Sequence, residues 1–279
     1  MNWSSLLAAA AAAVPVAAGI LWDEGFGQAA LWADGNAEVS TYHARDTKYG
    51  IARASRAILV VVAEDFRREE LVKADRPEGE PRTRRVLKLN HVRAIPTGLY
   101  TYQQMLSVFL GARRLEPVKL TVTSHEWCGN SFIEWREDRR LLSIRSYFES
   151  VADRDLPLWP ADALFYDELP LKLRSLDFDR TREGKVTVID SLFSNNPSPP
   201  SFRPAKLTVT RGAPGIFRVA LEREGARDLF EFNAEFPHRL RRWERSDGGL
   251  LTLVDSRRIR YWEKNLPGDE NLLPAAPAR

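Results

Sequence analysis

The stretch KLTVTSHEWCGNSFIEWR, residues 119–136, determines the fold class of this chain. Polar residues alternate with apolar or small ones on both sides of Gly129-Asn130, a dipeptide that favours a two-residue turn. Because successive side chains of a strand point to opposite faces, the alternation predicts two antiparallel strands joined by a tight hairpin. The sequence therefore predicts an antiparallel sheet with one buried face.

The more apolar face of this hairpin also collects residues with reactive groups. His125 and Cys128 are three positions apart and fall on opposite faces, which argues against a cysteine–histidine catalytic pair. Glu126 falls on the apolar face, where an ionised carboxylate needs a partner. The pairs predicted by a turn at Gly129-Asn130 are Cys128 with Ser131, Glu126 with Ile133, and Ser124 with Trp135.

A candidate partner for Glu126 lies in an earlier strand. Leu87 and Leu89 alternate with polar residues, so His91 belongs to the apolar face of that strand. In one interpretation this cluster binds a ligand or catalyses a reaction, with Glu126 as a general base. In the other, an ion pair fixes the register of the sheet and Cys128 is a small buried residue. The candidate ligand-binding residues are Glu126, His91, Cys128, Trp135 and Ser124.

Short runs of β-branched and aromatic residues, separated by glycine, proline and charged pairs, continue along the chain from Ala37. Seven such runs precede a break at Leu156–Pro160, and seven more begin at Lys185. Many consecutive strands with short connections favour a mainly β fold, in which an antiparallel meander forms a barrel, a half-barrel or a sandwich. The concave face of such a sheet can hold apolar ligands.

The segment between the two series, Ala161–Leu176, carries leucine and phenylalanine at helical spacing and predicts one or two short helices, divided at Pro170. Residues 195–204 are rich in serine and proline and form a candidate seam between two sheet halves. We expect a single β-rich domain over residues 23–264 and a flexible tail over 265–279.

Residues 1–22 predict a signal peptide or an N-terminal anchor. An alanine-rich apolar run ends at Asp23-Glu24, and Val16-Ala17-Ala18 supplies the small residues of a cleavage site. No lysine or arginine precedes the run, which weakens the secretory interpretation, and Pro15 interrupts what would be a marginal membrane-spanning helix. We expect an exported protein, periplasmic or envelope-associated, that is peripheral to the membrane at most after signal cleavage.

The composition argues against several classes of function. The formal charge is only +3, and basic residues are interleaved with acidic ones, so no nucleic-acid partner is expected. Cys128 is the single cysteine and cannot supply an intrachain disulfide or a multi-thiolate zinc site. The four histidines lack the spacing of a zinc protease, and no nucleotide-binding loop is found. We expect neither a metal nor a cofactor.

Five short motifs stand out in their order along the chain: Leu31–Glu38, Val62–Phe66, Val86–Asn90, Thr97–Tyr100 and His125–Gly129. Together they resemble an uncharacterised family of exported bacterial proteins. Some members are labelled septum formation inhibitor of the Maf type, a class of α/β nucleotide pyrophosphatases, whereas the pattern here is β-rich. The closing segment, Pro237 to Trp262, is similar to the end of curved-sheet envelope proteins distantly related to lipoprotein carriers. The resemblance implies a fold and no residue roles.

Three functions are compatible with these features. The leading hypothesis is a non-catalytic cell-envelope protein whose curved sheet binds a lipid-like or other apolar small molecule, or an envelope protein. The second is a hydrolase-type enzyme that uses Glu126 with His91 or Cys128. The third is a protein–protein assembly module that pairs through a sheet edge.

Overall fold

A single sheet of 15 strands organises the described part of the chain, which in this computed structural model comprises residues 19–76, 81–197 and 199–276. The mainly β, antiparallel prediction is confirmed. Every strand of the first half pairs with the next, forming a meander of eight strands. They are β1 (Ala37–Lys48), β2 (Ile51–Arg67), β3 (Thr83–Pro96), β4 (Thr101–Gly111), β5 (Pro117–Glu126), β6 (Gly129–Arg136), β7 (Leu141–Ser146) and β8 (Arg154–Pro157).

The second half of the chain forms a similar meander, which joins the first where its last strand pairs antiparallel with β1. Its short first strand is parallel to the next, and the others are antiparallel. The strands are β9 (Leu164–Phe165), β10 (Glu183–Ile189), β11 (Phe202–Arg211), β12 (Ile216–Arg223), β13 (Ala226–Asn233), β14 (Leu240–Glu244) and β15 (Leu250–Ile259).

Two boundaries differ from the sequence prediction. The segment 195–204, a candidate seam in the sequence, leads from β10 into its neighbour β11, which begins at Phe202, so the two halves of the sheet meet at β1 and β15 instead. The last two of the seven runs predicted from Lys185 onward, Leu250–Val254 and Arg257–Trp262, form one strand, β15, which ends at Ile259 and has a register shift opposite Thr41 and Tyr42. A bulge of this kind kinks a strand without ending it, and it interrupts the alternation on which the prediction depends.

The predicted helix over Ala161–Leu176 is mostly a run of tight turns. Its one α-helical turn, α1 (Leu169–Lys172), is flanked by 3₁₀ turns, and Pro170 lies in the first turn of α1, where a missing N–H is tolerated. Leu169, Leu171 and Leu173 are fully buried in the core shared by both meanders. This turn segment, residues 161–176, therefore fills the interior that the curved sheet encloses.

An ion pair fixes the turn segment to the first strand of the sheet. Both guanidinium Nη atoms of Arg174 contact the Glu38 carboxylate, at 2.8 and 3.0 Å, and both side chains are buried. The guanidinium also lies near the rings of Phe26 and Trp32. Removing Glu38 would leave the buried Arg174 guanidinium without its carboxylate partner, so the pair specifies how the turn segment is seated.

The sheet is not closed. Its terminal strands, β8 and β9, do not pair with each other in the described part of the chain. Moreover, β9 pairs with only two residues of β10, Val188 and Ile189. An open side therefore runs along the remainder of β10.

The N-terminal end of the described chain packs on the turn segment, and the C-terminal end packs on the sheet. Trp22 forms an isolated bridge with Leu176, and Leu273 packs on a small cluster of valines and alanine on β1 and β2. Arg56 Nη1 donates to the carbonyl of Pro274 at 3.0 Å, so the residues predicted as a tail are attached to the sheet as far as this contact. The predicted signal peptide lies, up to residue 18, outside the described residues.

Candidate functional site

The β5–β6 hairpin, which contains four of the five predicted site residues, turns two positions earlier than predicted. Trp127 and Cys128 form the turn, and Glu126 pairs with Gly129. Gly129 is required in the strand rather than in the turn, because a Cβ there would meet the Tyr147 ring at 2.5 Å. The predicted pairs are therefore wrong; the observed pairs are Ser124 with Ser131, Val122 with Ile133, and Leu120 with Trp135.

A shift of two residues preserves the faces of the strands, since side chains alternate with a period of two. Ser124, Glu126 and Trp135 are accordingly buried on the inner face. Cys128 is instead exposed in the turn, which corrects its predicted place on the apolar face.

The Glu126 carboxylate binds its own hairpin turn. Its Oε2 accepts the backbone N–H of Cys128 at 2.6 Å. The Cys128 thiol also donates a hydrogen bond to this carboxylate, which raises the pKa of the thiol. A thiol with a raised pKa is less ionised at neutral pH and is a weaker nucleophile.

Glu126 and His91 are too far apart to act together. His91 is level with Leu106 on β4, which in turn is level with Val122 on β5. Glu126 is four residues further along β5, which at about 3.3 Å per residue is an offset of about 13 Å. The structure therefore does not assemble the predicted Glu126–His91 pair.

The other two predicted residues are fully engaged within the protein. Trp135 Nε1 donates to the carbonyl of Leu158 at 2.9 Å, and its ring packs on Phe165 at a centroid distance of 5.0 Å. Ser124 Oγ accepts a hydrogen bond from Gln104 Nε2 at 2.9 Å. Both contacts connect strands and turns, as expected of structural residues.

Gln104 links Ser124 to a network of charged side chains inside the sheet. Gln104 Oε1 accepts from Arg93 Nε at 2.8 Å. Arg93 and Arg245 both contact Asp46 Oδ1, at 3.3 and 2.9 Å. Burial opposes ionisation of Asp46, but the two guanidinium groups outweigh it and lower its pKa.

His91 lies beside this network in a largely apolar environment. It is only 2% exposed, and its ring lies 5.0 Å from that of Phe193 and 6.5 Å from that of Trp243. Burial, aided by the charges of Arg93 and Arg245, lowers the pKa of His91 to about 3. The imidazole is therefore neutral at physiological pH and can donate or accept a hydrogen bond.

Sequence reasoning missed the charged members of the network, although the alternation that placed His91 applies to them as well. Arg93 is an even number of residues from Leu87, Leu89 and His91 and therefore lies on the same face of β3. Asp46 likewise lies on the same face of β1 as buried Tyr42 and Ala44. Arg245 comes two residues after buried Trp243 and follows the same alternation. A charged residue in register with buried apolar ones is thus the signal that could have located them.

A large groove lies along the open side of the sheet. Its volume is about 1170 Å³, and it lies between the loop that follows β8 and the edge formed by β10 and β11. Aromatic walls come from Trp22, Trp159 and Phe202, of which Trp159 is 49% and Phe202 46% exposed. Arg140 lies over the Trp159 ring at 4.0 Å and orients it.

Polar groups line the same groove. Lys185 is exposed on β10, whereas Lys206 pairs with Glu183 at 2.7 Å. The groove thus combines aromatic and proline surface with the exposed ammonium group of Lys185 and with the carboxylates of Asp162, Glu222 and Glu224. Such a lining suits a molecule that is apolar along its length and polar at one end.

Comparisons with known proteins add a distant structural likeness. No protein-family model matches the chain, and no curated protein matches it either. Among solved structures, a β-barrel-like protein of domain of unknown function DUF1849 from Brucella abortus is similar. It shares 9% identity with a TM-score of 0.47, covering 81% of this chain and 98% of that chain. No residue role is carried over from it, and the resemblance to an exported family stays a prediction.

Among the described residues, no helix is long and apolar enough to span a membrane.

Proposed function

We propose that the protein is a non-catalytic, exported cell-envelope protein that binds a lipid-like, amphipathic molecule in the groove along the open side of its sheet. The observation that carries this proposal is the groove itself, a concavity of about 1170 Å³ with three aromatic walls. Pockets that hold small organic ligands have volumes of about 300–1,000 Å³, so this groove can accept a ligand at or above that size.

The groove supports this function better than the concave face of the sheet. The concave face was the predicted location of an apolar ligand, but the leucines of the turn segment fill it. The groove, by contrast, leaves Trp159 and Phe202 about half exposed to solvent. Large aromatic side chains contribute most to binding when a ligand covers such surface.

The ligand is expected to be amphipathic rather than wholly apolar. Trp22, Trp159 and Phe202 provide apolar contact area, and the exposed ammonium of Lys185 provides a contact for an anionic head group. A charge pair of this kind orients a ligand more than it strengthens binding. The proposal is therefore a single-chain lipid or similar amphiphile with an acidic end.

Titration with a dansyl-labelled fatty acid tests the binding function. Wild-type protein is expected to enhance the dansyl fluorescence saturably, and a Trp159→Ala, Phe202→Ala double variant should bind at least tenfold more weakly. Trp127→Ala is the matched control, because Trp127 is 76% exposed on the β5–β6 turn, away from the groove. An equal affinity in wild type and double variant, both folded, would refute the groove as the binding site.

Two further measurements address the native ligand and the compartment. Mass spectrometry of protein purified from its native cells should detect a stoichiometric amphiphile that the double variant lacks. Cell fractionation should recover the protein from the envelope fraction. Recovery from the cytosol alone would contradict export while leaving the binding result intact.

A second candidate function, assembly with a partner strand, rests on the edge of β10. Only Val188 and Ile189 of β10 pair with β9, so residues 183–187 have no strand on that side within the described chain. Unpaired edge groups can pair with another chain. Light scattering over a range of concentrations tests self-association, and a monomer throughout would exclude a stable homo-oligomer.

A further inference from the structure

A small polar cavity lies inside the sheet, separate from the groove. Its volume is about 110 Å³, and it is bounded by β3, β4 and β14, by the turn that precedes β10, and by the loops that follow β10 and β14. The residues that matter for its chemistry are His91, Arg93, Tyr166, Asp167, Trp243 and Arg245.

Two buried ring nitrogens on the wall of this cavity have no hydrogen-bond partner among the described residues. They are Nε2 of His91 and Nε1 of Trp243, and the two side chains are only 2% and 4% exposed. An indole N–H can only donate a hydrogen bond. Buried polar groups of native proteins almost always have a partner, so the indole N–H indicates a missing acceptor and the imidazole nitrogen a second missing partner.

Two guanidinium groups on the same wall are held in fixed positions. Arg93 donates to Gln104 Oε1 and, through Nη2, to the carbonyl of Phe193 at 2.7 Å, while the guanidinium stacks on the Phe193 ring at 3.9 Å. Arg245 is held by Asp46 and by Asp247. Each guanidinium has five N–H groups, so both retain donors beyond those already used.

The acidic groups at the cavity leave room for an acceptor from outside. Asp46 is shared between the two arginines, and Asp247 lies at the mouth with its side chain 65% exposed. The Asp167 oxygens accept from Ser191 Oγ at 2.6 Å and from the backbone N–H of Leu192 at 2.7 Å. Burial raises the pKa of Asp167 to about 6, so it carries less negative charge near neutrality than an ordinary aspartate.

We propose that this cavity binds a small carboxylate anion, which accepts hydrogen bonds from Trp243 Nε1 and from the guanidinium groups of Arg93 and Arg245. At about 30 Å³ per water, the cavity has room for three to four water-sized groups, the size of acetate. Paired N–H donors of arginine match the two oxygens of a carboxylate. The carboxylate is either a free small acid or the acidic end of a larger ligand that enters past Asp247.

Titration of the wild-type protein with sodium acetate tests this site directly. The ring N–H resonance of Trp243 is identified as the indole signal that disappears in a Trp243→Phe variant. Acetate should shift this resonance saturably, whereas sodium chloride at the same ionic strength should not. The indole signal of exposed Trp127 is the internal control and should move with neither salt.

The Trp243→Phe variant also measures the contribution of the missing donor. Phenylalanine keeps an aromatic ring at this position, where Trp243 stacks on Phe230 at a centroid distance of 5.1 Å, and removes the N–H group together with part of the indole ring. We expect roughly tenfold weaker acetate binding, as for loss of one hydrogen bond to a charged group. Equal shifts with acetate and chloride, or a crystal of wild-type protein grown in acetate with only water in the cavity, would overturn the proposal.

The same assay distinguishes a free small acid from the acidic end of a larger ligand. If acetate and a fatty acid both shift the Trp243 resonance, the cavity takes the acidic end of a larger ligand. If acetate shifts the resonance and the fatty acid does not, the cavity takes free small acids. Failure of acetate binding leaves the groove proposal standing, because that proposal depends on Trp159 and Phe202.

Discussion

Two sets of polar side chains on the inner face of the sheet, three predicted residues of the β5–β6 hairpin and two residues of the small cavity, differ in whether they find hydrogen-bond partners. On the β5–β6 hairpin, Ser124, Glu126 and Trp135 each make a hydrogen bond within the protein. Around the small cavity, by contrast, His91 and Trp243 each bury a ring nitrogen without a partner in the described chain. Buried polar groups without a hydrogen-bond partner, rather than a cluster of reactive residues, therefore indicate the better candidate for a binding site.

The two regions should respond in opposite ways to the loss of their polar groups. A satisfied buried hydrogen bond adds about 0.5–1.5 kcal/mol to stability, whereas an unsatisfied polar group costs about 1–3 kcal/mol. The protein should therefore lose stability when Ser124, Glu126 or Trp135 of the hairpin is replaced. The cavity should tolerate apolar replacements, since they remove a cost that only a ligand or water offsets.

The largest expected effect is on the hairpin side, at Trp135. Trp135→Ala removes a fully buried indole that packs on Phe165 and bonds to Leu158, and should lower the free energy of unfolding by about 3–5 kcal/mol. Urea denaturation monitored by circular dichroism measures this change. Trp127→Ala, at an exposed site, should change stability by less than about 0.5 kcal/mol. A Trp135→Ala loss as small as the control would mean that this packing contributes little.

The next effect distinguishes the cavity side by its response to pH. Folded His91 has a pKa of about 3, whereas the unfolded chain protonates histidine near 6.5. The unfolded state thus binds the extra proton as the pH falls from 6.5 to 3, and stability is lost over that range. At 1.36 kcal/mol per pH unit, His91 should account for about 2 kcal/mol of lost stability between pH 7 and pH 5.

Comparison with a His91→Phe variant isolates this contribution. Asp167 acts in the opposite direction, because its raised pKa lets the folded state bind a proton first as the pH falls through about 6, but it is common to both proteins. The variant should therefore lose about 2 kcal/mol less than wild type between pH 7 and pH 5. Parallel pH profiles of urea midpoints for the two proteins would show that folded His91 titrates normally.

The fold was more predictable than the site, for reasons that individual residues illustrate. Period-two alternation found the strands and correctly placed Ser124, Glu126 and Trp135 on the buried face. It could not fix the turn, since Gly129-Asn130 has turn chemistry while the requirement that keeps Gly129 in the strand comes from Tyr147, 18 residues away. Such a contact between distant residues is not encoded in a local pattern.

The interior turn segment shows a second limit of local patterns. Leucine spacing over 161–176 predicts helix, yet only Leu169–Lys172 is α-helical and 3₁₀ turns flank it, because the segment is shaped by the curved sheet around it and by the Glu38–Arg174 ion pair. Likewise, alternation places His91 inward but cannot show that Arg93, Asp46 and Arg245 meet there from two strands and a turn. Tertiary context decides both outcomes.

A smaller effect returns to the hairpin and tests whether its hydrogen bonds stabilise the sheet. Ser124→Ala removes the acceptor for Gln104 Nε2 and leaves that buried amide unsatisfied, which should cost about 1 kcal/mol. Thr123→Ala is the matched control, because Thr123 lies on the opposite face and is partly exposed. A Ser124→Ala protein as stable as the control would show that this hydrogen bond adds nothing to stability. The hairpin and the cavity would then not differ in this respect.

The smallest effect concerns reactivity rather than stability, and it asks what Glu126 does. If its carboxylate is occupied by the turn and by the Cys128 thiol, Glu126→Gln should remove the negative charge that raises the thiol pKa while keeping an oxygen for the Cys128 N–H. Cys128 should then react a few-fold faster with iodoacetamide at pH 7.5, since thiolate is the reacting form. The two rates should converge at high pH, where both thiols are ionised. A rate unchanged at pH 7.5 would mean that Glu126 does not control the reactivity of the thiol. The Glu126 carboxylate would then again be a candidate ligand-binding group.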